Sequence, residues 1–384
     1  MTLAHTGHNT GQDVGARTEA RDELRSALRR LLADRSPSAA VRQWAQSEQG
    51  HDPALWRRFA DQLGITGIAV PEEYGGAGGD LAELAVVLEE LGRSLVPSPY
   101  FATVALAGQA LTASGDSAAA RRWLPGIAAG ELTATLAAAE ESGSWRIEDT
   151  VTTATHTGGT QWSVSGTKMF VVDGDTADLL LVVAATGAGP GLFAVESGAP
   201  GLTRTRLDTL DPTRRLARLD LDAVPATRVG AEGDASAYLR TVLDLAAVAL
   251  AAEQVGGAQA CLDAAVQYAK VRVQFERPIG SFQAVKHKCA DLLVAVEAAR
   301  SAADHAASTG AEASADLPTA AALAAAWCAR TYTQAAKENI QLHGGIGYTW
   351  EHDAHLHLRR AKSSEQLLGA PALHRARLAD LTGI

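Results

Sequence analysis

The stretch Val271-Arg-Val-Gln-Phe-Glu-Arg-Pro-Ile-Gly-Ser-Phe-Gln-Ala284 decides how this sequence is read. It interrupts two long segments with helical character. Upstream, Asp244 to about Arg272 is rich in Ala, Leu and Val, the composition of a closely packed helix. Downstream, Ser281 is an expected N-cap for a helix running from Phe282 towards Ser308. A polar break over Ser308 to Ala315 is followed by Asp316 and Pro318, which start a third helix reaching about Leu342. A fourth, shorter helix follows Asp353. Long helices joined by short breaks predict a C-terminal four-helix bundle over residues 231–384.

Moving towards the N-terminus, the periodicity changes. Leu179 to Val183 is a short apolar run, and Leu219, Leu221 and Ala223 alternate with Asp220 and Asp222, the mark of a strand with one buried face. Asp173-Gly174 and Gly187 to Gly191 read as turns between strands. Residues 131–230 are therefore expected to form a mostly antiparallel β domain. Residues 18–130 return to helical spacing, in Leu24, Leu28, Leu31 and Leu32 and again in Leu81, Leu84, Val87, Leu88 and Leu91. The Gly-rich loop Val70 to Gly79 between them reads as a connector. Residues 1–17, polar and without an apolar run, read as a disordered tail rather than a signal peptide. The fold class is α+β, with a β domain between two helical ones.

Composition narrows the function classes. A formal charge of −10 argues against nucleic acid as a partner. No uninterrupted apolar run is long enough to cross a bilayer, so a soluble, cytoplasmic protein is expected, with no membrane partner. Cys261, Cys289 and Cys328 are widely spaced in apolar helical sequence and read as buried packing thiols. His343, His352, His355 and His357 cluster, but the last three lack a strict single-face ligand spacing, so no metal is expected; they read as solvated or interface residues. Neither a dinucleotide-binding glycine fingerprint nor a Walker loop is present.

Two C-terminal segments carry a resemblance. Arg272 and Phe275 close one helix and Gln283 opens the next; further on stands Gln341-Leu-His-Gly-Gly-Ile-Gly-Tyr-Thr-Trp-Glu-His-Asp353. Together with Trp56 to Gly79 and Gly166-Thr-Lys-Met-Phe-Val-Val-Asp-Gly174, they resemble the acyl-CoA dehydrogenase family over nearly the whole chain. The resemblance implies FAD, an acyl-CoA or other acyl thioester as substrate, and a dimer or tetramer formed through the bundle. It implies that Arg272 contacts the flavin pyrophosphate, that Phe275 and Gln283 hold the cofactor, and that Gln341, Gly344 and Gly345 lie along its adenosine half. Phe170 would head the strand beside the flavin, contributing a backbone amide. Glu276 departs from the family, where glycine is common.

The same resemblance exposes a loss. The family's base is a glutamate followed by glycine; an ungapped count from Gly345 places that position at Leu368, before Gly369. The alternative base site on the long helix is Ala246, and the neighbouring arginine of relatives is Ala247, whereas Asp244 is retained. The family's Thr-Glu-Pro becomes Ala139-Glu140-Glu141, and its Trp-Ile-Thr becomes Phe170-Val171-Val172. Loss of a general base costs about 10²–10⁴-fold in rate. The expectation is a base-lacking subunit that lends FAD-binding residues to a related catalytic subunit, as in heterotetrameric acyl-CoA dehydrogenases of sterol side-chain degradation. The alternatives are a self-sufficient homo-oligomer with a relocated base, for which Glu365 is the weak candidate, and a flavin-dependent oxygenase or scaffold relative.

Overall fold

Leu81, Leu84, Val87, Leu88 and Leu91 all turn inward on α4 (Leu81–Arg93), the helix around which the N-terminal part is built. Its start is fixed by a capping box: the Asp80 side chain accepts from Ala82 N, and the Glu83 side chain accepts from Asp80 N. The computed structural model of the protein describes residues 10–384. Its first helix, α1 (Thr10–Arg35), lies against α4 and buries Leu28 and Leu32. Residues 10–17, expected to belong to a tail, are thus helical. The reason is ionic: Arg17 pairs with Asp80 and Glu83 of the α4 cap, holding the first turns of α1 in place. The rest of the expected tail, residues 1–9, lies outside the described residues.

Short helices α2 (Ser38–Gln46) and α3 (Pro53–Asp61) precede α4. The glycine-rich loop before α4 folds back on its own backbone, with Ala77 N and Gly79 N donating to Gly67 O and Ile68 O at 2.9 and 2.8 Å. A π-helical segment (Phe101–Gly108) continues as α5 (Gln109–Ala113), and α6 (Ser117–Ala128) closes the helical part.

The β domain contains β1 (Ala134–Ala137), β2 (Thr153–Gly158), β3 (Gln161–Val172), β4 (Leu179–Thr186), β5 (Gly189–Glu196), β6 (Leu202–Arg206) and β7 (Leu216–Val229). The order is β1-β4-β2-β3-β7-β5 with β6 on β7, and β4 also pairs with β5, so the sheet closes on itself and hides its edges. Most pairings are antiparallel; β1 and β2 run parallel to β4. Ala137, Val164, Val171, Leu180, Val182, Phe193 and Leu219 fill its interior. The alternation expected through Ala223 slips there. Ala223 is exposed with φ +52 at a bulge opposite Ser165, and Val224 takes the inward place. A second bulge, between Lys168 and Val171, sets Phe170 at φ +54.

The C-terminal part comprises α7 (Ser236–Val271), a small hairpin β8 (Val273–Gln274) and β9 (Arg277–Pro278), α8 (Gln283–Ala311), α9 (Leu317–His343), α10 (Ala354–Ser364) and α11 (Pro371–Thr382). Ser281 does not cap α8; it sits in a 3-10 turn, and Phe282 precedes the helix without a side-chain cap. Helix α8 also runs through the first part of the expected break, to Ala311. By length and apolarity α7 could cross a membrane, contrary to the reading of the sequence, but 83% of its most apolar window is buried inside the protein. Its small residues explain this. A Cβ on Gly256 would stand 1.8 Å from Glu89 O and one on Gly92 2.1 Å from Glu253 O, so α4 and α7 touch backbone to backbone. Cys261 and Cys328 are buried as expected, whereas Cys289 is half-buried.

Candidate functional site

The ends of α7 and α9 and the start of α8 meet at one pole of the helical domain. Tyr268 in the last turns of α7 stacks on His343 at the end of α9, with ring centroids 4.3 Å apart, and His343 packs on His352 at the same spacing of 4.3 Å. This ring column brings the Arg272 and Gly344 segments to one surface. Arg272, Phe275, Gln283, Gln341, Gly344 and Gly345 are all exposed there, Phe275 at 87%. The Arg272 side chain makes no ion pair among the described residues. A Cβ built on Gly344 or Gly345 meets nothing within 4 Å, so the backbone is open to approach from outside. Phe275 and Glu276 form the hairpin turn with φ +53 and +61, a pair of left-handed conformations that ordinarily select Asn-Gly. That turn projects Phe275 away from the protein.

The histidines are not simply solvated. His343 is buried and bonded to Asn339 O at 2.8 Å. The His357 ring meets the Tyr332 hydroxyl at 3.0 Å, and burial holds its imidazole down at about 4. The loop before α10 is clamped from α2: Arg42 donates to Asp353 at 2.7 Å and to His352 O at 3.1 Å.

Leu368, where the motif count expects the family base, lies at the opposite pole. Leu368 has φ +62 and is only 7% exposed. It borders a cavity of about 10 Å³, shared with Ala247, Leu250, Gln254, Glu365, Leu367 and His374. Such a space holds at most about one water. Ala246 is fully buried and offers no proton acceptor. Two carboxylates of this region are committed: Glu365 pairs with Lys362, and Asp244 accepts from Arg377 at 2.9 Å. Gln254 Nε2 donates to Ser364 O at 3.2 Å, fastening the Leu368 segment to α7.

Between the poles, the β domain presents Phe170, 37% exposed, beside buried Val171 and Val172, with buried Ala139 opposite. Glu140 is buried and receives Lys168 Nζ at 2.5 Å, Thr152 Oγ1 at 2.9 Å and two backbone amides at 3.2 Å. Burial lowers the Lys168 ammonium to about 8 despite that partner. A second ionic cluster joins the β domain to the C-terminal helices. Arg360 of α10 donates to Asp211 at 2.6 Å, to Glu253 of α7 at 2.7 Å, and to Thr213 O at 2.9 Å, while Arg214 also pairs with Glu253. The reading of the sequence found neither cluster. A signal existed for one member: Glu253 is an isolated carboxylate in a long apolar helix and has to find a buried cation.

This helical–barrel–helical architecture defines a class, and comparison with known proteins gives the family. The chain belongs to the acyl-CoA dehydrogenase family, FAD-dependent oxidoreductases: residues 18–131 match the model of the "Acyl-CoA dehydrogenase, N-terminal domain" and residues 236–381 that of the "Acyl-CoA dehydrogenase, C-terminal domain". It is 41% identical over 343 residues to acyl-CoA dehydrogenase IpdE2 of Mycobacterium tuberculosis, covering 89% of this chain and 90% of that protein. Among solved structures it resembles a variant of the Tcur3481-Tcur3483 steroid ACAD (TM-score 0.88, 35% identity, 95% of this chain and 98% of that one). It also resembles the ChsE4-ChsE5 complex of Mycobacterium tuberculosis (TM-score 0.87, 30% identity, 95% and 97%).

Proposed function

We propose that this chain is the base-lacking subunit of a heteromeric acyl-CoA dehydrogenase, supplying nucleotide-side FAD contacts to a catalytic partner that carries the glutamate. One observation carries the reading: buried Leu368 at the base position borders a cavity of only about 10 Å³, while the nucleotide-side residues stand exposed at the other pole. Along α7, Ala247 and Arg272 are separated by roughly 37 Å at about 1.5 Å per residue. That exceeds an extended FAD molecule, so residues near Arg272 serve a flavin other than one lying beside Leu368.

The nucleotide pole fits FAD. Arg272 offers a free, forked guanidinium for phosphate oxygens, Phe275 an outward aromatic ring, Gln283 and Gln341 amides, and Gly344 and Gly345 a bare backbone. When bound, FAD supplies the hydride acceptor for α,β-dehydrogenation of the acyl thioester. The flavin-side stretch Phe170 to Val172 keeps backbone amides but no hydroxyl donor. Glu365 is a poor substitute base, because Lys362 occupies it. The similarity to subunits of the Tcur3481-Tcur3483 and ChsE4-ChsE5 assemblies supports a heteromeric state.

The visible spectrum tests this. The chain purified alone retains little flavin, and co-expression with a base-bearing relative gives a yellow complex that oxidises acyl-CoA. A colourless complex, or an isolated chain with stoichiometric FAD bleached by acyl-CoA, overturns it.

A further inference from the structure

Asp173 and Arg214 are 9% and 7% exposed, yet both are left incomplete. Among the described residues no donor reaches the Asp173 carboxylate, and Arg214 Nη1 is a fully buried donor without an acceptor. Both face a chamber of about 20 Å³ walled by Leu88, Leu91, Phe101 and Val172. Neither side chain is there loosely. Arg214 pairs with Glu253 and lies over the Phe101 ring at 4.8 Å. Asp173 sits at φ +52, its amide donating to Arg215 O at 3.1 Å and its carbonyl accepting from Ala177 N at 2.9 Å. An unmade bond at a buried polar group costs about 1–3 kcal/mol, so Arg214 Nη1, facing the same void as Asp173, calls for an occupant.

Charge selects its chemistry. The other ionic groups at the chamber are matched: Arg215 with Asp175, and Arg360 with Asp211 and Glu253. An anion entering here meets the Asp173 carboxylate, and a cation meets the Arg214 guanidinium. A hydroxyl accepts from Arg214 and donates to Asp173, and the chamber has room for about one such group. Asp173 also lines a larger cavity of about 470 Å³, whose walls include Pro53, Trp56, Pro99 and Thr103, so chamber and cavity share this residue. That volume falls within the usual range for small-molecule sites, about 300–1,000 Å³.

We propose that Asp173 and Arg214 form the polar end of a binding site for a neutral hydroxylated small molecule. Its hydroxyl occupies the chamber and its apolar body lies against Trp56, Pro53 and Pro99, between the N-terminal helices and the β domain. The site lies apart from both poles and does not depend on the half-site reading. Burial holds the Asp173 carboxyl up at about 7, and a hydroxyl donating to the ionised form pulls it back down, so binding strengthens as pH rises through neutrality.

Calorimetric titration of the full chain at pH 8 with hexanol, hexanoate and hexylammonium tests the assignment. Hexanol binds, roughly tenfold or more tightly than either charged analogue. Thr176→Trp, an exposed position lining the larger cavity, and Asp173→Leu each weaken hexanol binding by about tenfold. No binding of hexanol, a preference for a charged head group, or unchanged affinity in Thr176→Trp overturns the proposal. If Asp173→Leu does not fold, the head-group series and Thr176→Trp still decide it.

Discussion

On the proposed reading, Leu368→Glu puts the family's residue type back at the base position, and the surroundings forecast that this alone restores nothing. The side chain at 368 is 7% exposed and borders a cavity of about 10 Å³. An introduced carboxylate finds Leu250, Leu367 and Ala247 around it; of the polar neighbours, Gln254 is tied to Ser364 O, Glu365 holds Lys362, and burial lowers the His374 imidazole below its ordinary value. Desolvation without a partner raises a carboxyl by several units; taking about 2–3 units, ionisation at pH 8 costs roughly 3–4 kcal/mol. The sign follows from linkage. The folded carboxyl titrates above its unfolded value, so the variant loses stability as pH rises from about 4 through the raised value. Denaturant unfolding at pH 5 and pH 8 checks this: the deficit relative to wild type is small at pH 5 and largest at pH 8. Acyl-CoA does not bleach flavin in the homomeric variant, because the cavity is far below the few hundred Å³ that a ligand needs. A pH-independent deficit refutes the burial argument. A homomeric Leu368→Glu chain that binds FAD and reduces it with acyl-CoA refutes the closed-site reading itself.

Two further perturbations separate binding from stability. Arg272→Ala removes an exposed guanidinium that has no ion pair among the described residues, so stability stays within about 0.5 kcal/mol. Flavin release from the complex, followed by fluorescence, shows roughly tenfold or greater loss of FAD affinity, the worth of a charge-assisted bond to phosphate. Asp173→Asn removes a carboxyl held up at about 7 from an ordinary 3.8. Wild type pays for ionising it as pH rises from about 4 to 7, so the variant is the more stable at pH 8, by at most about 4 kcal/mol. That advantage disappears near pH 4, and a pH-independent difference in melting temperature shows that Asp173 is not buried as described.

Much of this was legible in the linear sequence because it depends on local periodicity and short motifs. Helical spacing gave α4 and the long helices, alternation gave the strands, and the motif count singled out Leu368 as the expected base position. Where local reading failed, distant residues decided. Arg17 extends α1 by pairing with Asp80, sixty-three positions away. The bulge at Ala223 depends on the neighbouring strand β3.

The sequence alone determined the order of elements, the identity of Leu368 and the survival of the Arg272 and Gly344 motifs, since each is a property of residue type and spacing. Only the tertiary structure decided that the space at Leu368 is closed, that Arg360, Glu253, Arg214 and Asp211 join helices to barrel, and that Asp173 and Arg214 face one void. Cavities and buried ion pairs arise between segments far apart in the chain, and their energies depend on which groups packing removes from water.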